Sequence, residues 1–121
     1  MSFSSTYLAL SFPDYVVTVE IKRHLAPEIV GKLLRRLPIG TYAYPALKVV
    51  YVKLNIGSGG RRKIHDLTRG DVFYGIKQDS MGIVLEDLES SLSQVKIGEV
   101  SEGLEKVEGI RGVVPVRIVE V

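Results

Sequence analysis

Residues 6–40 read TYLALSFPDYVVTVEIKRHLAPEIVGKLLRRLPIG, and within this stretch the apolar repeat changes from two residues to nearly four. Leu8, Leu10 and Phe12 alternate with smaller or polar residues. Pro13-Asp14 forms a turn pair, and Val17, Val19 and Ile21 then alternate with Thr18, Glu20 and Lys22. Successive side chains of a strand point to opposite faces, so this pattern predicts a half-buried hairpin over 6–23. Over 27–37 the spacing is different: Ile29, Val30, Leu33, Leu34 and Leu37 fall at i, i+1, i+4, i+5 and i+8. That spacing makes one apolar stripe on a helix, with Lys32, Arg35 and Arg36 on the wet side or near the C-terminus, where cations suit the dipole. Pro27 fits the first turn, and Pro38 with Gly40 ends the helix.

Beyond residue 40 the chain is rich in strand formers. Residues 41–56 carry Tyr42, Tyr44, Val49, Val50, Tyr51, Val52, Leu54 and Ile56, interrupted by Pro45. Further strands are predicted near 71–77 and 82–87, joined by Lys77-Gln78-Asp79-Ser80, then at 95–100 and 113–121. Residues 102–108 suit a short helix, weakened by Gly103, and a Ser-rich segment lies at 90–94. One long helix among so many strands is too little for an alternating βαβ architecture. The expected fold is mainly β: a closed barrel of about eight strands, with one long and one short helix at its ends. Closure removes the edge strands that would otherwise invite aggregation. The whole chain, 1–121, reads as a single domain, because no linker or internal repeat divides it.

Composition narrows the function. The chain has 121 residues, 45% apolar and 25% charged, and a net charge of +2, which fits a globular domain and excludes a disordered or collagen-like chain. There is no cysteine, which excludes disulfides, thiolate metal sites and a cysteine nucleophile. His24 and His65 stand in no metal-ligand spacing. No cofactor is expected. No run approaches the ~20 apolar residues of a membrane-spanning helix. The opening Met1-Ser2-Phe3-Ser4-Ser5 lacks the basic and apolar regions of a signal peptide, so the expected compartment is the cytoplasm. Gln78, Gln94 and Asn55 are the only side-chain amides, and with abundant Lys, Arg and Glu this is a thermophile-like balance.

Several groups of residues are candidates for binding. Gly57-Ser58-Gly59-Gly60 followed by Arg61, Arg62 and Lys63 combines backbone N–H groups that can approach an anion with three cations. It lacks both the Walker spacing and a complete dinucleotide fingerprint, and a charged hairpin loop explains it as well. Residues 1–80 carry 12 basic and 6 acidic side chains, against 4 and 8 in the remainder. Even so, no stacking-aromatic motif accompanies the cations, so nucleic acid is not the expected partner. Tyr42 and Tyr44 share a face in a strand, as do Tyr51 and Phe73 if paired in register. Such residues serve either as a binding platform or as packing. His65-Asp66 and the Glu86, Asp87, Glu89 group define no nucleophile with its base.

Two stretches carry a family likeness. Residues 96–107, Lys-Ile-Gly-Glu-Val-Ser-Glu-Gly-Leu-Glu-Lys-Val, resemble the cyclophilin segment in which a strand is followed by Val-x-Gly-Met/Leu and a short helix. Gly70-Asp71-Val72-Phe73-Tyr74 resembles the Gly-Asp-Val/Ile-x-Tyr motif of the small prokaryotic cyclophilin-like proteins. Gly31-Lys32-Leu33-Leu34 and Leu37-Pro38 fit that family's helix, and the likeness runs over about 6–121. The resemblance implies a minimal β-barrel without an established activity. The Arg, Gln and pocket aromatics of the true cyclophilin isomerase site have no counterparts here, and Gly75-Ile76-Lys77-Gln78-Asp79-Ser80-Met81-Gly82 stands where the small family tends to have Trp-Pro-Pro-Gly. The expected function is therefore a module that binds a peptide or small ligand, with Tyr44, Lys53, Tyr74 and Val84 as ligand contacts. A weak prolyl isomerase with a rearranged site, and an RNA- or anion-binding protein acting through Arg61, Arg62 and Lys63, are the alternatives. The ligand's identity and the oligomeric state stay open at this stage.

Overall fold

The computed structural model describes residues 5–59, 66–89 and 93–121. Eight strands form a closed antiparallel barrel: β1 (Ser5–Ser11), β2 (Val16–Lys22), β3 (Ile39–Pro45), β4 (Val49–Lys53), β5 (Asp71–Gly75), β6 (Ser80–Val84), β7 (Gln94–Glu102) and β8 (Val114–Glu120). Around the wall their order is β1-β2-β7-β5-β6-β4-β3-β8, closing back on β1. Two α-helices accompany them, α1 (Pro27–Arg36) and α2 (Leu104–Val107), with a single turn of 3-10 helix (Arg23–Leu25) leading into α1.

The alternation in the first hairpin is what buries one face. Leu8 and Leu10 of β1 sit opposite Val19 and Val17 of β2, and all four are fully inside. Pro27 opens α1, and Glu28 lies in its first turn, with Arg35 and Arg36 in its last, each charge matched to the helix dipole. Ile29, Val30 and Leu33 belong to the same apolar cluster as the inward residues of the strands. A helix can reach the inside of a closed wall only through an open end, so α1 plugs one.

The β-rich stretch 41–56 is two strands rather than one: β3 begins earlier, at Ile39, and ends at Pro45, and β4 follows after a turn. The strands expected at 71–77 and 82–87 are shorter and shifted, because the reversal occupies 76–79 and pairing resumes at Ser80. β7 runs longer than 95–100 because it serves two neighbours. Its C-terminal half pairs with β2 and its N-terminal half with β5, with a register shift in each ladder. Gly98 lies where these ladders meet, and a Cβ there would strike the Glu20 carbonyl of β2.

The wall formed by β5, β6 and β4 is dry on both sides. Val50, Val52, Val72, Tyr74, Met81 and Ile83 face the barrel interior. Val49, Tyr51, Phe73 and Val84 face outward and form a second apolar cluster with Leu67. Leu67 and Leu88 are joined by reciprocal backbone hydrogen bonds of 3.3 and 2.8 Å, and Leu88 packs against this second cluster. Tyr51 and Phe73 are both register partners of Gly82. The Phe73 ring occupies the space a Cβ at Gly82 would need, so the glycine is required by close approach.

Candidate functional site

The outer wall carries an aromatic ladder of graded exposure. Ring centroids lie 6.1 Å apart for Tyr42 and Tyr44, 5.7 Å for Tyr44 and Tyr51, and 6.0 Å for Tyr51 and Phe73, the last pair edge to face. Tyr42 is 42% exposed and Phe73 is fully buried, so the ladder descends from solvent into the outer core. Burial, then the neighbouring Tyr44, holds the Tyr51 hydroxyl above its ordinary pKa despite a hydrogen bond with Gln94.

Of the ligand contacts expected from sequence, Tyr44 and Val84 belong to this outer cluster. Strand alternation puts Lys53 on the same side, where its Nζ donates to the Gln78 carbonyl at 2.7 Å. Tyr74 faces the opposite way, into the interior core. The four residues therefore do not converge on one groove. Arg61, Arg62 and Lys63 lie outside the described residues.

Tyr74 instead organises a polar node at the β5–β6 turn. Its hydroxyl donates to Asp79 Oδ1 at 2.6 Å and accepts the Ser58 N–H at 3.1 Å. Four consecutive N–H groups converge on Asp79: those of Leu54 and Asn55 on its carbonyl, at 3.1 and 3.3 Å, and those of Ile56 and Gly57 on its carboxylate, at 3.0 Å each. Burial, then the bond to Asp79, pushes the Tyr74 hydroxyl up to about 12. For Asp79, burial favours the neutral acid, but the Tyr74 O–H, the Gly57 and Ile56 N–H groups and the Lys53 charge outweigh it. Its carboxyl therefore sits below the ordinary 3.8. These groups tie the segment after β4 across the β5–β6 turn. Every donor and acceptor named here is engaged, which makes the node a clasp.

A concave feature with apolar walls lies elsewhere, beside β8. β1 pairs with β8 from Leu8↔Glu120 to Ser11↔Arg117 and then turns away, whereas β3 stays paired down to Ala43↔Val114. A groove of about 410 Å³ opens where β1 departs. Phe12, Pro13, Gly40 and Pro115 line it, and Arg117 stands at the end where β1 and β8 still pair. The Phe12 wall is braced: its N–H donates to the Tyr15 carbonyl at 2.9 Å, and the two rings stack with centroids 5.0 Å apart. Pro115 cannot donate to a ladder, and it falls where β8 has a strand on one side only, as a proline in a sheet must. Tyr42 is its register partner, so the exposed end of the aromatic ladder borders the groove. Arg117 is exposed and makes no side-chain hydrogen bond or ion pair among the described residues. Its lateral neighbours, Ser11 and Gly40, are small, and the space a Cβ at Gly40 would take is empty.

Sequence reasoning missed this groove because its walls come from three separated segments. The signal present was Pro115, a proline inside an otherwise alternating last strand.

The class is an eight-stranded closed antiparallel barrel capped by a helix. No family model matches the chain, and no curated protein does. Among solved structures it is similar to a hypothetical protein of Archaeoglobus fulgidus, known from a solution structure. Identity is 19%, the TM-score is 0.81, and the match covers 98% of this chain and 96% of that one. A likeness at this identity establishes the fold alone. Among the described residues no helix is long and apolar enough to cross a membrane.

Proposed function

We propose that this chain is a cyclophilin-like barrel of the cytoplasm that works as a binding module for a short peptide or small ligand, held in the groove beside β8. The observation that carries the reading is the groove itself: a concavity of about 410 Å³ with braced apolar walls and one cation without an ion-pair partner among the described residues. Small-ligand sites span ~300–1,000 Å³ and combine apolar lining with few polar groups. The Phe12–Tyr15 stack and the two prolines hold the walls in place before a ligand arrives, so little ordering entropy opposes binding. The likeness of residues 70–74 and 96–107 to the small cyclophilin-like proteins supports the family part of the reading.

The test is a titration of isotope-labelled protein with acetyl-prolyl-phenylalanine and its carboxamide at millimolar concentration, followed by amide NMR. Saturable shifts centred on Gly40, Thr41, Val116 and Arg117 are expected from at least one of the two. If the amides of the groove stay still with both probes, or if the shifts centre on another face, the reading is wrong.

A further inference from the structure

We infer that the groove selects ligands ending in a carboxylate, with Arg117 as the residue that reads the charge. This rests on the proposed binding function and names the chemical class of its ligand. The argument begins with what surrounds the guanidinium. Lys22, Arg69 and Lys96 have carboxylate partners at 3.1, 2.8 and 3.3 Å. Arg117, like the other described lysines and arginines, has none among the described residues, and what sets it apart is its place in the lining of the groove. It lies in register between Ser11 and Gly40, neither of which carries a charge or the bulk to fill the adjacent space. The fork of N–H donors is thus open to a partner that the described residues do not supply.

The rest of the groove says what kind of partner. A guanidinium pairs best with a planar anion that accepts two parallel hydrogen bonds, which a carboxylate does. Phe12, Pro13 and Pro115 offer no charge to a ligand body, so the body must be apolar. Arg117 marks the end of the groove where β1 and β8 still pair, and Pro115 the part from which β1 has already turned away. The charged group of the ligand is therefore its terminus, and the apolar part extends away from it. A free peptide C-terminus following a proline or an aromatic residue has this form, and so does an aryl-alkanoic acid. The shared chemistry is a carboxylate on an uncharged apolar body.

The experiment compares acetyl-prolyl-phenylalanine with its carboxamide, and adds 4-phenylbutyrate as a non-peptide carboxylate, on wild type and on Arg117→Gln and Arg117→Lys. The acid should bind the wild-type groove at least about tenfold more tightly than the amide, as a charge-assisted pair replaces a neutral one. Arg117→Gln should abolish that preference, and Arg117→Lys should restore part of it. An unchanged thermal midpoint in both variants checks that the exposed substitution leaves the barrel intact. Binding of 4-phenylbutyrate with the same Arg117 dependence points to small carboxylates as a source. Its failure beside a bound peptide acid points to peptide termini. An amide that binds the groove as well as the acid, or an acid preference that survives Arg117→Gln, overturns the inference while leaving the binding module standing. Absence of groove binding by every probe overturns both.

Discussion

Asp79 gathers more backbone than its size suggests. Its φ of 51° is a left-handed conformation that Asp and Asn tolerate better than other side chains, so Asp79→Asn keeps the turn and removes only charge and acceptor strength. At neutral pH this variant should lose about 1–3 kcal/mol, the usual cost of leaving buried donors poorly satisfied, read from urea midpoints. The pH dependence has a fixed sign. The folded-state pKa of Asp79 lies below 3.8, so its contribution is complete above the ordinary carboxylate range and fades as pH falls through the lowered value. The gap between wild type and Asp79→Asn should therefore close in strong acid. Tyr74 has the opposite sign. Its folded pKa is raised from 10.0 to about 12, so its share is present below pH 10 and is lost as pH climbs toward 12. A gap that stays constant from neutral to strongly acid pH would show that the Asp79 charge adds nothing to the clasp.

Among the elements, α1 was the most readable. Its stripe, its proline start and its basic last turn all agree with one another, and the observed helix differs from the expected 27–37 by one residue. Packing separates two leucines that the periodicity treats alike. Leu33 is fully buried, whereas Leu34 is only partly covered. Leu33→Ala should cost about 2–5 kcal/mol by leaving a cavity under the plug, and Leu34→Ala less than about 2. Equal shifts in denaturant midpoint for the two would mean that the helix sits differently in the barrel mouth. The strands were legible as strands, because alternation survives wherever one face is wet. What could not be read was which face Tyr74 and Val84 take relative to each other. Strands β5 and β6 are buried throughout, and a strand that is dry on both sides shows no alternation to reveal its phase. The expected ligand contacts failed to converge for this reason, and Arg117 went unnoticed because only the fold brings it together with Phe12 and Pro13 in one groove.

At the scale of the molecule, closure does what the strand count implied. β8 is held between β1 and β3, so the last strand of the sequence seals the first. Near Pro115 the wall lacks a neighbour on one side, and there the missing N–H leaves little for another chain to pair with. The rest of the circumference is not uniform. β4, β5 and β6 lie between the interior core and the outer cluster of Val49, Tyr51, Leu67, Phe73 and Val84, whereas β1 and β8 expose Tyr7, Pro115 and Arg117. A barrel built this way has a stiff side and a soft side in time as well as in space. In heavy water, the amide protons of Val72, Tyr74 and Ile83 should be the last to exchange, since no local opening can wet them without displacing an apolar layer. Those of β8 beside the groove should be replaced much sooner.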